Sequence, residues 1–146
     1  MGDRTDVRIE IGGKLPRALI PELVKAAESD GVSIDYGDEA LTEAYVQDGD
    51  GPLILSGYEI NYADLPTLQD FCRTHKLPYR KEWGAGDGYP AGGELMDAEG
   101  LATYGMTESG GDPALDAATI IKLGSYEAVM AVINRLIEPV PDLEII

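Results

Sequence analysis

Proline and glycine punctuate this chain so densely that only short elements fit between them. There are 9 prolines and 18 glycines among 146 residues. A proline fits a helix only in its first turn and a sheet only at its margin, because it lacks an N–H and its φ is fixed. Val7, Ile9 and Ile11 alternate with Arg8 and Glu10, the period of a strand, and Gly12 and Gly13 end it. A helix is expected over 17–30, with Pro16 and Pro21 near its first turn and Leu19, Ile20, Leu23, Val24 and Ala27 on one face. Gly31 closes it, and Val32 to Ile34 read as a short extended piece. Asp38 is placed to cap a second helix over 39–47, with Ala40, Leu41, Ala44 and Tyr45 as its buried stripe. Residues 48–52 must turn. Leu53, Ile54 and Leu55 then predict a central strand covered on both faces.

Asp64 and Pro66 mark the next helix start, with Leu65, Leu68, Phe71 and Cys72 facing inward. Arg73, His75 and Lys76 suit the negative end of its dipole, and Pro78 stops it. Residues 79–83 read as a strand, and 94–97 with 101–107 as a hairpin after a glycine-rich stretch. Asp112-Pro113 is the expected start of a helix ending at Gly124. Ser125 caps the last helix, whose apolar face is Val129, Val132, Ile133, Leu136 and Ile137. Pro139 and Pro141 force an extended tail, and Leu143, Ile145 and Ile146 should pack it back on the body. The sum is one α/β (α+β) domain over residues 1–146. It should carry one mixed sheet of about four or five strands under four or five helices. The unit from Leu53 through the Asp64 helix to Tyr79 reads as a right-handed βαβ crossover with parallel strands.

Charge sets the functional expectation. Asp plus Glu is 27 against 11 for Lys plus Arg, a net charge of −16. Such a field repels nucleic acid and anionic membranes and attracts basic partners. No Lys or Arg lies between Lys25 and Arg73, a span with 11 carboxylates, nor between Lys81 and Lys122, a span with 8. Glu28, Asp30, Asp35, Asp38, Glu39, Glu43, Asp48 and Asp50, with Tyr36 and Tyr45, are the candidate partner-binding residues. Tyrosine among carboxylates suits a surface that grips arginine through ion pairs and cation–π contact. A solvated face and half-buried strand tyrosines are the plain alternative. Arg73, Lys76, Arg80 and Lys81 form a small basic cluster, expected to pair with carboxylates such as Asp70 and Glu82.

Catalytic and metal signals are weak. Cys72 and His75 lie three apart, the spacing of one helix face, and core packing explains them better than a nucleophile–base pair. Asp48-Gly-Asp50-Gly resembles part of a calcium loop, with Glu59 at the twelfth position. Leu53, however, stands where such a loop needs glycine. Residues 84–93 lack the Lys-Ser/Thr of a phosphate-binding loop. No catalytic residue, metal or cofactor is assigned. With no apolar leader in Met1 to Arg8 and no long apolar run, the expectation is a cytoplasmic protein.

Three segments carry a resemblance: Ile11-Gly-Gly-Lys-Leu-Pro16, the stretch Tyr62-Ala-Asp-Leu-Pro-Thr-Leu-Gln-Asp-Phe-Cys-Arg-Thr-His-Lys-Leu-Pro-Tyr79, and Pro141-Asp-Leu-Glu-Ile-Ile146. Together the chain resembles a group of small uncharacterised acidic proteins encoded on bacterial plasmids, phages and other mobile elements. The resemblance implies an accessory-gene setting and transfers no catalytic residue. The resulting expectation is a non-enzymatic acidic protein that engages a basic, nucleic-acid-binding protein surface. An inhibitor of restriction or CRISPR defence that imitates DNA charge is the concrete form. The alternative is a small homo-oligomeric structural protein, a homodimer through its last helix or tail. A small enzyme ranks third.

Overall fold

Alternation in residues 7–11 also decides where the main core sits. The computed structural model describes residues 4–34, 39–86, 90–107 and 111–146. It places β1 (Arg4–Ile11) between β3 (Leu53–Asn61) and β4 (Tyr79–Trp83). Beyond β4 the sheet continues through β5 (Gly92–Asp97), β6 (Gly100–Met106) and the two-residue β7 (Pro113–Ala114). Register sets Ile9 opposite Leu55 and Lys81, and Ile11 opposite Leu53 and Tyr79. These side chains share the face beneath α1 (Ile20–Asp30) and α3 (Pro66–Thr74). Fully burying each Leu or Ile there contributes about 1.5–3 kcal/mol, so this face, not helix propensity, holds α1 and α3 in place.

The opposite face is covered more thinly. Leu95, Tyr104 and Leu136 form a second small cluster with Val132, Leu115 and Met106. Gly93 makes it possible: a Cβ there would lie 2.4 Å from the Tyr104 ring, so the ring occupies the space over the glycine backbone. Two helices, α4 (Ala117–Leu123) and α5 (Tyr126–Ile137), stand on this side, yet α5 buries only Leu136 and α4 buries nothing. The tail packs back through Leu143 and Ile145, whereas Ile146, expected to join them, is 61% exposed. β8 (Leu143–Ile145) pairs parallel to β2 (Gly13–Leu15). It reaches that position by crossing Gly12, whose Cβ would sit 1.9 Å from the Pro141 carbonyl oxygen.

The architecture is α+β, with five α-helices among the described residues. Its main sheet has six strands, all antiparallel in their pairings, and parallel pairing is confined to β2–β8. Several elements differ from the sequence expectation. β3 is an edge strand, not a central one, and Ile54 is 39% exposed. β3 and β4 do point the same way, but β1 lies between them, so α3 bridges strands that are not neighbours. The second helix is only α2 (Glu43–Asp48), capped by Thr42 Oγ1, because Glu39 is drawn into a bridge with Ile34. The helix buries only Val46; Leu41 is buried ahead of it, while Ala40, Ala44 and Tyr45 are exposed. Asp64 does not cap α3; Asp30 Oδ2 accepts from the Leu68 N–H at 2.7 Å and Gln69 Oε1 from the Leu65 N–H at 3.2 Å. Asp112-Pro113 feeds β7 at the sheet margin, and Asp116 caps α4 instead.

Candidate functional site

Exposed carboxylates recur from the last turn of α1 to the start of β3. After α1, Ser33 bridges Ser56 on the outer side of β3, and the chain turns back through α2 to Gly51 and Pro52 before entering β3. Glu28, Glu39, Glu43, Asp48 and Asp50 are exposed along this route. Asp30 is half-buried and serves the α3 N-terminus through the Leu68 N–H. Asp35, Tyr36 and Asp38 lie outside the described residues. Among the described residues, no Lys, Arg or His nitrogen comes within 4.0 Å of any of the other six carboxylates. Tyr45, 43% exposed, shares with Asp48, Asp50, Thr42 and Leu143 a groove of about 570 Å³. Exposed carboxylates without counter-ions project a field over roughly 8 Å in physiological salt.

The second basic-free span is wired differently. Glu94 Oε2 lies 3.4 Å from the buried Lys81 Nζ and accepts from Gln69 Nε2 at 3.1 Å. Lys81 also donates to Gln69 Oε1 at 3.0 Å, and Gln69 Nε2 donates to the Tyr79 hydroxyl at 2.9 Å. Lys81 Nζ lies 5.5 Å from the centroid of the Trp83 ring. Arg135 grips both oxygens of Asp97 at 2.9 and 2.6 Å and also donates to the Gly100 carbonyl. That fork holds the Asp97 carboxyl below its usual range. Of the basic cluster, Arg73 reaches Asp70 at 3.8 Å as expected. Arg80 does not pair with Glu82: both bind the Tyr104 hydroxyl, which sits between them, and Arg80 also bonds the Glu138 carbonyl. Burial, and then the Glu82 charge, pushes the Tyr104 phenol up to about 12.

Cys72 has no exposed surface, and burial pushes its thiol up to about 12. It is therefore protonated at neutral pH and is no nucleophile. His75 packs its ring on Phe71 at 4.6 Å and lines a groove of about 450 Å³ with Glu22, Lys25 and Asp70. The segment after Asp50 runs directly into the β3 ladder, so Leu53 to Glu59 cannot form the irregular half of a calcium loop.

The Gln69–Tyr79–Lys81–Glu94 network was not foreseen from the sequence. Its signal was present: in strand 79–83, Lys81 shares the inward period with Tyr79 and Trp83. A groove of about 730 Å³ opens beside it, lined by Trp83, Glu94, Thr103, Asp116 and Thr119.

No described helix is long and apolar enough to cross a membrane. The chain matches no protein-family model, and no curated protein or solved structure is significantly similar to it.

Proposed function

We propose that this chain is a non-enzymatic acidic binding protein. Its β3 edge engages a basic, nucleic-acid-binding surface of another protein in the cytoplasm, and it binds neither nucleic acid nor cofactor itself. The concrete form is a mobile-element inhibitor of restriction or CRISPR defence. The observation that carries this reading is that Glu28, Glu39, Glu43, Asp48 and Asp50 are all exposed and, among the described residues, have no cation within 4.0 Å. Complementary charge steers encounter and suppresses wrong partners. The buried, protonated Cys72 speaks against thiol catalysis.

Competition with a fluorescent DNA duplex for restriction nucleases and CRISPR effectors tests it. The wild-type chain should displace DNA from at least one of them, less effectively as salt rises. A variant carrying Glu28→Gln, Glu39→Gln, Glu43→Gln, Asp48→Asn and Asp50→Asn should associate at least about tenfold more slowly. Equal competition by both chains, or none at low salt against any of these enzymes, removes the reading.

A second reading has its own support. Ile121 is 77% and Tyr126 74% exposed on α4 and α5, which favours a homo-oligomeric accessory protein joined through those helices. Sedimentation of Ile121→Lys beside the wild type decides it: a monomeric wild type ends this alternative.

A further inference from the structure

Hydrogen-bond phase in the β5–β6 hairpin leaves one stretch of sheet edge without a backbone partner among the described residues. The Met106 N–H donates to the Ala91 carbonyl, and antiparallel partners exchange bonds at every second pair. Counting back along β6, Tyr104, Ala102 and Gly100 turn their N–H and C=O groups toward β5. Leu101, Thr103 and Gly105 turn theirs away. β7 covers that outer side only at Gly105 and Met106, after which the chain departs for α4. Leu101 is 50% exposed, and Thr103 is also exposed.

The edge strand itself, β7, is protected by its shortness and by Pro113, but the Leu101–Thr103 stretch beyond it is not. Natural edge strands are blunted by charge, proline or a bulge, whereas β6 reads Gly-Leu-Ala-Thr-Tyr-Gly-Met. The 730 Å³ groove reaches this stretch at Thr103. Lys81 is already engaged by Glu94 and Gln69. The other charged side chains lining the groove are the carboxylates of Glu94, which shares Lys81, and Asp116, which caps α4 through the Thr119 N–H, so the lining carries a net charge of one carboxylate.

We propose that β6 accepts an extended basic peptide segment of a partner protein as an added strand along residues 101–103. Backbone bonds to Leu101 and Thr103 hold the segment, and its alternate Lys or Arg side chains face Glu94 and Asp116. Strand addition of this kind takes affinity from main-chain bonds and specificity from alternate side chains. The proposal takes from the preceding reading only that the partner is basic.

Trp83 is the single tryptophan and lines the groove, so its emission reports occupancy. The probe is a blocked synthetic peptide of alternating arginine and valine. It should shift Trp83 emission saturably, and its glutamate-for-arginine counterpart should not. N-methylating the backbone amides on one edge of the peptide should weaken binding about tenfold. Leu101→Pro removes an outward N–H while leaving the β5 ladder intact, and should have a similar effect with an unchanged circular dichroism spectrum.

Equal binding by the parent and both edge-methylated peptides would overturn strand addition while leaving the basic-partner reading in place. Failure of the parent peptide alongside successful DNA competition does the same. A wild-type dimer that Leu101→Pro converts to monomer identifies the occupant as a second copy and likewise overturns the proposal. Absence of both peptide binding and DNA competition at low salt removes both readings.

Discussion

The two basic-free spans look alike in sequence and differ in how many of their carboxylates find a cation. Between Lys25 and Arg73, the described carboxylates make one ion pair, Asp70 with Arg73 at 3.8 Å. Between Lys81 and Lys122, Glu94, Asp97 and Glu99 are paired with Lys81 or Arg135, while the other described carboxylates, Glu82, Asp112 and Asp116, have no cation within 4.0 Å among the described residues. Topology explains the difference. The second span contains β5 and β6, which lie beside β4 and beneath α5, and these neighbours bring Lys81 and Arg135 within reach. The first span wraps the free side of β3, where the single described bridge is Ser33 with Ser56. A run of carboxylates without nearby cations therefore says nothing about its folded charge until its neighbours in the sheet are known.

The sharpest way to break this comparison is to remove the cation at its most buried point. Lys81→Ala should cost about 3 kcal/mol, because Glu94 and Gln69 lose their shared donor in a water-poor setting. Urea denaturation measures it. A loss below about 1 kcal/mol would place this pair with exposed surface pairs and erase the contrast.

A smaller effect is expected at the rim. Arg135→Ala should cost about 1 kcal/mol, since Asp97 and Glu99 remain reachable by water. The sign with pH follows from the depressed Asp97 carboxyl. Its folded value lies below the unfolded value of roughly 3.9, so its contribution is present above about pH 4 and is lost as pH falls through the folded value. The decline in stability below about pH 4 should therefore be shallower in Arg135→Ala. Parallel wild-type and variant curves would show that the fork contributes nothing.

The smallest effect belongs to the exposed carboxylates of the first span. The fivefold neutralised variant should match wild-type stability within about 0.5 kcal/mol, the range of surface substitutions. At low salt it should lie on the stabilised side, because self-repulsion is relieved. A large destabilisation would mean that these carboxylates have structural partners after all, and would merge the two spans into one class.

Most elements were legible because their signals are local. Alternation marked β1, the proline and glycine stops bounded α1 and α3, and Ser125 caps α5 through the Ala128 N–H as its position suggests. The misread starts have a common cause. Asp64 and Asp112-Pro113 carry the right chemistry for caps, but Asp30 and Gln69 do that work for α3, and β6 draws Pro113 into the sheet. The candidate acidic residues were legible as a list, not as a surface. Asp30 looked free and is committed to α3, whereas Tyr45, Asp48 and Asp50 share one groove.

By itself, the order of residues determined that this chain is strongly acidic, is built from short helices and strands, and has β1 buried on one face. Those properties follow from composition, steric punctuation and side-chain period, which need no distant partner. Only the tertiary structure decided that β3 is an edge, that Arg135 neutralises Asp97, and that, among the described residues, β7 pairs with the outer side of β6 at Gly105 and Met106 but not at Leu101 and Thr103. Each depends on which segments lie side by side, a matter of long-range packing that no local spacing encodes.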